Sequence, residues 1–398
     1  MATKAGVGMS HHHNPDVAGR EAAEQALEKA GLSKPDFVFM FASIGYDQHS
    51  LLRAVRETTG GAPLSGCSAE GTINGDDADE SGFSLVVMAI SSDELQWING
   101  IATELEDDPR SVGQEVAEDL LPHLSAETIG LFVFPDGLTD FLAPFFLGLE
   151  ENLPSERFIP LWGGGAGNNF NLEEPTYQYC DDEVISGGVA YALLSGKAQA
   201  SWAISHGLIP IGGERKVTRS EGNAINEIDG KPAIEVLKEY LPEGALVEDR
   251  DWMRYAIALT LIFKAPSYIK DEEYAVLGVP AVRLADGSII IQTEVPEGTS
   301  VWFSSRDKEK ITTGFDRMSQ QIKDQLGGEK PKLVFQFECL TRGKFLFREQ
   351  EKLQVLKRLR QSVGPDVPWA GFYTIGEIGP VEKHNDRHLY TSVVLALS

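Results

Sequence analysis

Residues 62–73 read APLSGCSAEGTI, residues 159–170 read IPLWGGGAGNNF, and residues 367–378 read VPWAGFYTIGEI. Each is Pro-x-x-Gly followed by small residues and a further glycine, so the chain carries an internal repeat whose period governs everything else. An apolar run with nearly the same ending trails each one: FSLVVMAIS to Ser91, GVAYALLS to Ser195 and SVVLALS to Ser398.

Upstream of each Pro-x-x-Gly lies an amphipathic segment, His49 to Thr59, Leu142 to Asn152 or Glu349 to Gln361. Before it comes a strand of buried character, FVFMF from Phe37, IGLFVF from Ile129 or KLVFQF from Lys332. A further helix precedes each strand. Asn14-Pro15 supplies an N-cap and a first-turn proline for one, which Gly31 ends; Pro109 to Leu124 and Asp307 to Leu326 form the other two. Short extended stretches open the units: KAGVGMS from Lys4, LQWINGIA from Leu95 and TSVWFSS from Thr299. Apolar strands joined through helices are expected as parallel neighbours, and the final loop-joined pair as antiparallel. The fold class is therefore α/β, with mixed β-sheets and flanking helices built from three related strand-helix-strand-helix-strand-strand units.

Between about residues 196 and 298 the pattern changes to strand-rich sequence, SWAISHGLIPI, RKVTRSEG, AIALTLIF and AVRLADGSIIIQTEV, interrupted by one helix from Pro232 to Tyr240. Gly212-Gly213 marks the change. Residues 1–211 then form a domain of two units, and residues 212–398 a domain made of the strand-rich insertion and the third unit.

The chain has 398 residues, 42% of them hydrophobic, and 35 Lys+Arg against 60 Asp+Glu give a net charge of −25. Such a surface repels polyphosphate and anionic lipid, which excludes nucleic acid and membrane as natural partners and leaves a small molecule or another protein. Cys67, Cys180 and Cys339 are odd in number and widely spaced, which fits a reducing cytoplasm rather than a disulfide framework. Neither a signal peptide nor an 18-residue apolar span is visible. His11 to His13 read as native loop ahead of a helix N-cap.

Gly-rich turns close each unit, at Gly66 to Gly71, Gly163 to Gly167 and Gly371 to Gly379. They can cradle a small molecule with backbone amides, or they can be tight bends where strands pack closely. Gly66, Cys67 and Ser68 in the first turn, and Gly163, Gly164, Gly165 and Asn168 in the second, are candidate ligand contacts. No P-loop and no nucleophile elbow occurs. Cys67 and Cys339 are the thiols to weigh for nucleophilic catalysis, against the reading of small buried cysteines. His206 lies in an apolar run where a haem could sit, or it is a hydrogen-bonded core histidine.

The most specific wording is FQFECLTRGKFLF, then GFYTIGEIGP, then HNDRHLYTSVVLALS. With GCSAEGTI, PLWGGGAGNNF and RKVTRSEGNAINEIDGKPAIEVLKEYL in the same order, nearly the whole chain resembles the FIST family, a prokaryotic sensory module with an N-terminal and a C-terminal half. Glu70 and Thr72 depart from the more usual ending of the first motif. The resemblance implies sensing of a small ligand, with amino acids proposed, rather than catalysis. It also implies output through a separate histidine kinase, diguanylate cyclase or chemoreceptor. Some members are haem proteins that sense nitric oxide, with His206 the candidate ligand here. A cysteine-dependent enzyme is the reading from another class. For a carboxylate-bearing ligand Arg342 is the expected partner, and for an amino group Glu338 or Glu377, with Tyr373 and Gly376 beside them. Arg342 and Glu377 paired with each other is the structural alternative.

Overall fold

The computed structural model describes residues 3–139, 141–171, 173–265, 273–279 and 281–398. Packing divides the chain into two units. One holds the residues up to Ser205 with Thr312–Arg387 and Thr391–Ser398; the other holds His206–Ile311 and His388–Tyr390.

The chain first runs through β1 (Lys4–Ser10), α1 (Pro15–Ala30), β2 (Phe37–Ala42), α2 (Gln48–Thr58), β3 (Leu64–Ser68), β4 (Gly71–Asn74), β5 (Asp77–Asp79) and β6 (Leu85–Ser91). Asn14 caps α1 by accepting from the Val17 amide, and Asp47 caps α2 through Ser50. Next come β7 (Leu95–Ala102), α3 (Pro109–Leu120), β8 (Thr128–Pro135), α4 (Ala143–Asn152), β9 (Leu161–Gly164), β10 (Gln178–Cys180), β11 (Glu183–Ile185), β12 (Val189–Gly196) and β13 (Ala200–His206).

The second unit contains β14 (Leu208–Glu221), β15 (Ala224–Ile228), β16 (Lys231–Pro232), α5 (Ala233–Lys238), α6 (Met253–Ala256), β17 (Leu259–Lys264), β18 (Tyr274–Val276), β19 (Ala281–Arg283), β20 (Ser288–Ile290) and β21 (Ser300–Arg306). Gly212, where the sequence changes character, lies within β14, where the pairing to β21 shifts register between Ile211 and Arg215. The unit has its own core, with Trp252, Phe303, Leu261 and Ile289 among its buried members. The chain then continues with α7 (Lys308–Leu326), β22 (Leu333–Cys339), α8 (Glu349–Val363), β23 (Trp369–Thr374), β24 (Glu377–Val381), β25 (His384–His388) and β26 (Thr391–Leu397).

Among the described residues the first unit holds three six-stranded sheets, ordered β1-β6-β2-β3-β10-β11, β7-β12-β8-β9-β24-β25 and β13-β26-β22-β23-β4-β5. The pairs β2/β3, β8/β9 and β22/β23 are parallel. Two expectations need correction. The strands joined by α1 are not neighbours, because β6 lies between β1 and β2 and runs antiparallel to both. The TSVWFSS stretch is β21, which pairs with β14 and β17 in the second unit. The edge of the third sheet is instead β13. Both stretches carry a short apolar run between polar residues, and such a run marks a strand without revealing its partner.

Each sheet ends on a hairpin from a different repeat: β10-β11 in the first, β24-β25 in the second, β4-β5 in the third. Their inner faces share one core. At its centre Phe39, Phe132 and Phe335, from the middle strand of each sheet, meet with centroids 5.0, 4.9 and 4.8 Å apart. Phe41, Phe134 and Phe372 form the next tier. On the outer faces, α1 and α2 cover Val38, Met40 and Ala42, and α3 and α4 cover Leu131 and Val133. No helix among the described residues is long and apolar enough to cross a membrane.

Candidate functional site

The glycines of the three Pro-x-x-Gly stretches occupy one structural position. Gly66 pairs with Met40, Gly163 with Val133 and Gly371 with Gln336, each across a parallel strand pair. A Cβ at these glycines would lie 1.8, 2.0 and 2.0 Å from the carbonyl oxygens of those same partners. Close strand approach therefore explains the motif. The turns beyond bond to one another: Gly167 N–H donates to Ser68 O (2.9 Å), Gly165 N–H to Gly376 O (2.8 Å) and Glu70 N–H to Tyr373 O (2.9 Å). Ser68 Oγ donates to Gly167 O and accepts from the Tyr177 amide. Gly164 pairs with Glu377. Asn168 gives its amide to Glu70 Oε1 (2.8 Å) and its side-chain Nδ2 to Asn171 O and Glu174 O. These amides serve the protein's own oxygens.

Comparison of the repeats draws attention elsewhere. On the helix-covered face of the middle strand, the first repeat has Met40 and Ala42, the second Val133 and Pro135, and the third Gln336 and Glu338. Apolar residues in two repeats are thus replaced by an amide and a carboxylate in the third, with all four oxygen and nitrogen groups removed from water. Burying polar groups costs stability unless they are paired, so their pairing shows what the layer is built for.

Glu338 Oε1 accepts from Arg342 Nε at 2.6 Å, and its Oε2 accepts from Gln336 Nε2 at 2.9 Å. Gln336 Oε1 in turn accepts from Trp369 Nε1. The strand ends at Cys339 and the chain tightens into a short 3-10 turn, Leu340–Arg342, which brings Arg342 back over Glu338. Arg342 Nη1 donates to Ser205 O at 2.7 Å, and the guanidinium lies 5.0 Å from the Phe315 ring centre of α7. Nη2 is buried and has no hydrogen-bond partner among the described residues. Arg317 donates to Ser205 Oγ from the same helix.

Three further residues complete the layer. Tyr373, opposite Glu338 in the register, is buried; burial pushes its phenol well up, Glu80 and Glu338 reinforce this, and Arg342 opposes it. Lys352 of α8 sits 5.9 Å from the Tyr373 ring centre and 2.8 Å from Glu80 Oε2. Burial works to lower its pKa, but the Glu80 and Glu349 carboxylates outweigh that and raise it. Glu80 follows β5, on the hairpin from the first repeat, and both its oxygens also accept from the Lys344 amide. Lys352 was legible in principle, since Lys352, Leu356, Leu359 and Val363 mark one buried stripe of α8 and a lysine there is out of place. Glu80 sits in an acidic stretch that reads as solvated surface, and nothing in that stretch points to a buried ion pair.

Glu377 does not join Arg342. Its Oε1 accepts from Thr374 Oγ1, and its Oε2 from the Thr391 amide and Oγ1. Burial nevertheless pushes the carboxyl from 4.5 up to about 7, against the pull of those hydrogen bonds. The folded state holds this proton more tightly than the unfolded chain. Its stabilisation is full below the unfolded value of 4.5 and is lost as pH rises through about 7. The shift corresponds to about 3 kcal/mol. Glu377→Gln should flatten the fall in melting temperature across that window. Parallel curves for variant and wild type would show that another group titrates there.

The other candidates are core residues in geometry. His206 accepts from the Leu208 amide at Nδ1 (3.1 Å) and so presents Nε2–H to Tyr274 O at 2.8 Å. Both ring nitrogens are engaged, and His206 as placed does not fit an axial haem ligand. Cys67, Cys180 and Cys339 are all buried free thiols. Burial pushes the Cys67 thiol well up and, with Asp181, that of Cys180 up to about 12, the opposite of an activated thiolate.

Comparison with known proteins fits the motifs. The FIST N domain model matches residues 36–231 and the FIST C domain model residues 233–380. An uncharacterized protein of Mycobacterium tuberculosis is 24% identical over 395 residues, covering 98% of this chain and 98% of its own length. An uncharacterized protein of Methanocaldococcus jannaschii is 26% identical over 306 residues, covering 73% of this chain and 57% of its own. Among solved structures, a chorismatase aligns over 100% of this chain and 99% of its own, with a TM-score of 0.37 and 9% identity. A cyanuric acid hydrolase from A. caulinodans aligns over the same shares, with a TM-score of 0.36 and 10% identity. Matched by both domain models over most of its length, the chain belongs to the FIST family of sensory, small-ligand-binding domains of signal transduction.

Proposed function

We propose that this protein is a cytoplasmic sensor whose ligand, an amino acid or a related metabolite, binds in the polar layer between the third sheet and helices α7 and α8. The ligand's presence is passed to a separate signalling protein of the kinase, diguanylate cyclase or chemoreceptor kind. Binding rather than catalysis is the reading, and the observation that carries it is the replacement of apolar residues by Gln336 and Glu338 in one repeat of three. A buried ion pair adds little net stability, so its presence in place of a methionine and an alanine asks for another reason. Family membership supplies the sensory role.

The test is a thermal-shift screen of amino acids and related metabolites on the whole chain. A ligand at about 100 times its Kd should add about 2.7 kcal/mol of stability. The combined variant Gln336→Met, Glu338→Ala and Arg342→Met restores the apolar character of the first repeat and should abolish that shift. A hit whose shift survives the triple change binds elsewhere, and the layer is then not the sensing site.

A further inference from the structure

The donors and acceptors of this layer are unequally engaged, and that inequality constrains the ligand. Two carboxylates already have a cation: Glu338 has Arg342 at 2.6 Å, and Glu80 has Lys352 at 2.8 Å. Lys352 also meets Glu349 at 2.9 Å, and Arg317 of the same helix as Phe315 bonds Ser205, so three anions and three cations leave the layer formally neutral. Every oxygen of Glu338, Glu80 and Glu377 accepts at least one hydrogen bond. Two buried polar atoms of the layer have no partner among the described residues, the hydroxyl of Ser392, opposite Glu338 in the register, and Arg342 Nη2, and of these the charged one is a donor, Arg342 Nη2. The guanidinium is held on its other edges by Glu338, Ser205 O and the Phe315 ring, so Nη2 is fixed in direction before a ligand arrives.

We propose, resting on the sensor reading above, that the ligand is a small monocarboxylic acid without an ammonium group, a 2-oxo, 2-hydroxy or simple organic acid, with a carboxylate oxygen on Arg342 Nη2. A carboxylate oxygen takes up the donor that the layer leaves unengaged, keeps both ion pairs intact, and limits the added buried charge to one. A dianionic phosphate would set its second charge against Glu338, 2.6 Å from the same guanidinium. An ammonium would compete with Arg342 or Lys352 for a carboxylate that already has its cation. The orphaned buried carboxylate oxygen of this unit, Glu70 Oε2, belongs to a side chain bonded through its other oxygen to the Asn168 amide in the turn, not to any group of the layer.

The experiment is calorimetric titration of the full chain with matched pairs that differ only at the α-carbon substituent: lactate and pyruvate against alanine, 2-oxoisovalerate against valine, phenyllactate against phenylalanine. Inorganic phosphate is the dianion control. The oxo or hydroxy member of at least one pair should bind at least about tenfold more tightly than its amino acid, and should lose about tenfold or more in Arg342→Lys. The double variant Glu338→Gln with Arg342→Gln, which leaves no lone buried charge, guards against a folding defect and should lose binding too. Amino acids binding as tightly as their partners, or binding that disappears in Glu70→Gln, would overturn the inference and leave the sensor reading standing. Phosphate binding more tightly than the acids would do the same. No Arg342-dependent binding by any of these probes would overturn the inference, and a metabolite screen whose hits all survive the triple change would overturn the sensor reading as well.

Discussion

Alanine at Gly66, Gly163 or Gly371 is expected to leave the protein unable to reach its native state. The added methyl would stand 1.8 to 2.0 Å from a main-chain carbonyl oxygen of the adjacent parallel strand. Ordinary overpacking of a core costs about 1–3 kcal/mol because side chains rotate away. Here the obstacle is backbone, and strands about 4.8 Å apart cannot separate without breaking the ladder they share. The cost should therefore exceed that range and consume much of a net stability of about 5–15 kcal/mol. Gly82→Ala, with nothing within 4 Å of the added carbon, is the control. Urea unfolding followed by tryptophan fluorescence would show it, and a midpoint for any of the three within error of the Gly82 variant would refute the packing argument.

The second large effect belongs to Arg342. Arg342→Ala leaves Glu338 buried without its cation and should destabilise by about 3–5 kcal/mol. Changing both partners, Glu338→Leu with Arg342→Met, should recover most of that loss, since well-packed apolar residues often equal a buried pair in stability. The contrast separates two roles. Were the double variant as unstable as the single one, the pair would be a structural requirement of the third repeat, and its claim to a ligand-binding role would weaken. Equilibrium unfolding of the four combinations gives the coupling directly.

The order of elements could be read from the sequence because each unit writes it with strong signals: capped helices, apolar strands and a glycine where strands meet. Pairing could not. The strands β4 and β10 have four and three residues, too few for any alternation to declare a sheet, and their partners lie in other repeats. The edge strand β13 and the stretch that became β21 each hold three consecutive apolar residues, Trp202 to Ile204 and Val301 to Phe303, which mark a strand without naming its sheet. In the site, Arg342, Glu338 and Tyr373 are reached through the FQFECLTRGKFLF and GFYTIGEIGP motifs, and they lie together. The turn glycines and Asn168 read as candidates for a ligand cradle, and their groups serve strand contact and turn-to-turn hydrogen bonds. Glu377, near Arg342 in the sequence motifs, is bonded to Thr374 and Thr391 instead. Glu80 is brought in by the hairpin exchange, and a residue delivered from another repeat leaves no local trace.

That exchange has a mechanical meaning for a sensor. A repeat protein built as a stack can fray from one end, each unit melting at little cost to the next. Here each of the first unit's three sheets borrows its outer hairpin from another repeat, in a closed cycle of lenders, so no one repeat of that unit can loosen while the other two stay whole. Under the proposed function, a ligand in the third repeat's layer would bear on Glu80, which belongs to the first repeat; the first repeat's sheet is in turn completed by the second, and the second by the third. A proposed ligand of a few atoms would then act on three sheets tied into one ring, whichever of them a signalling protein reads.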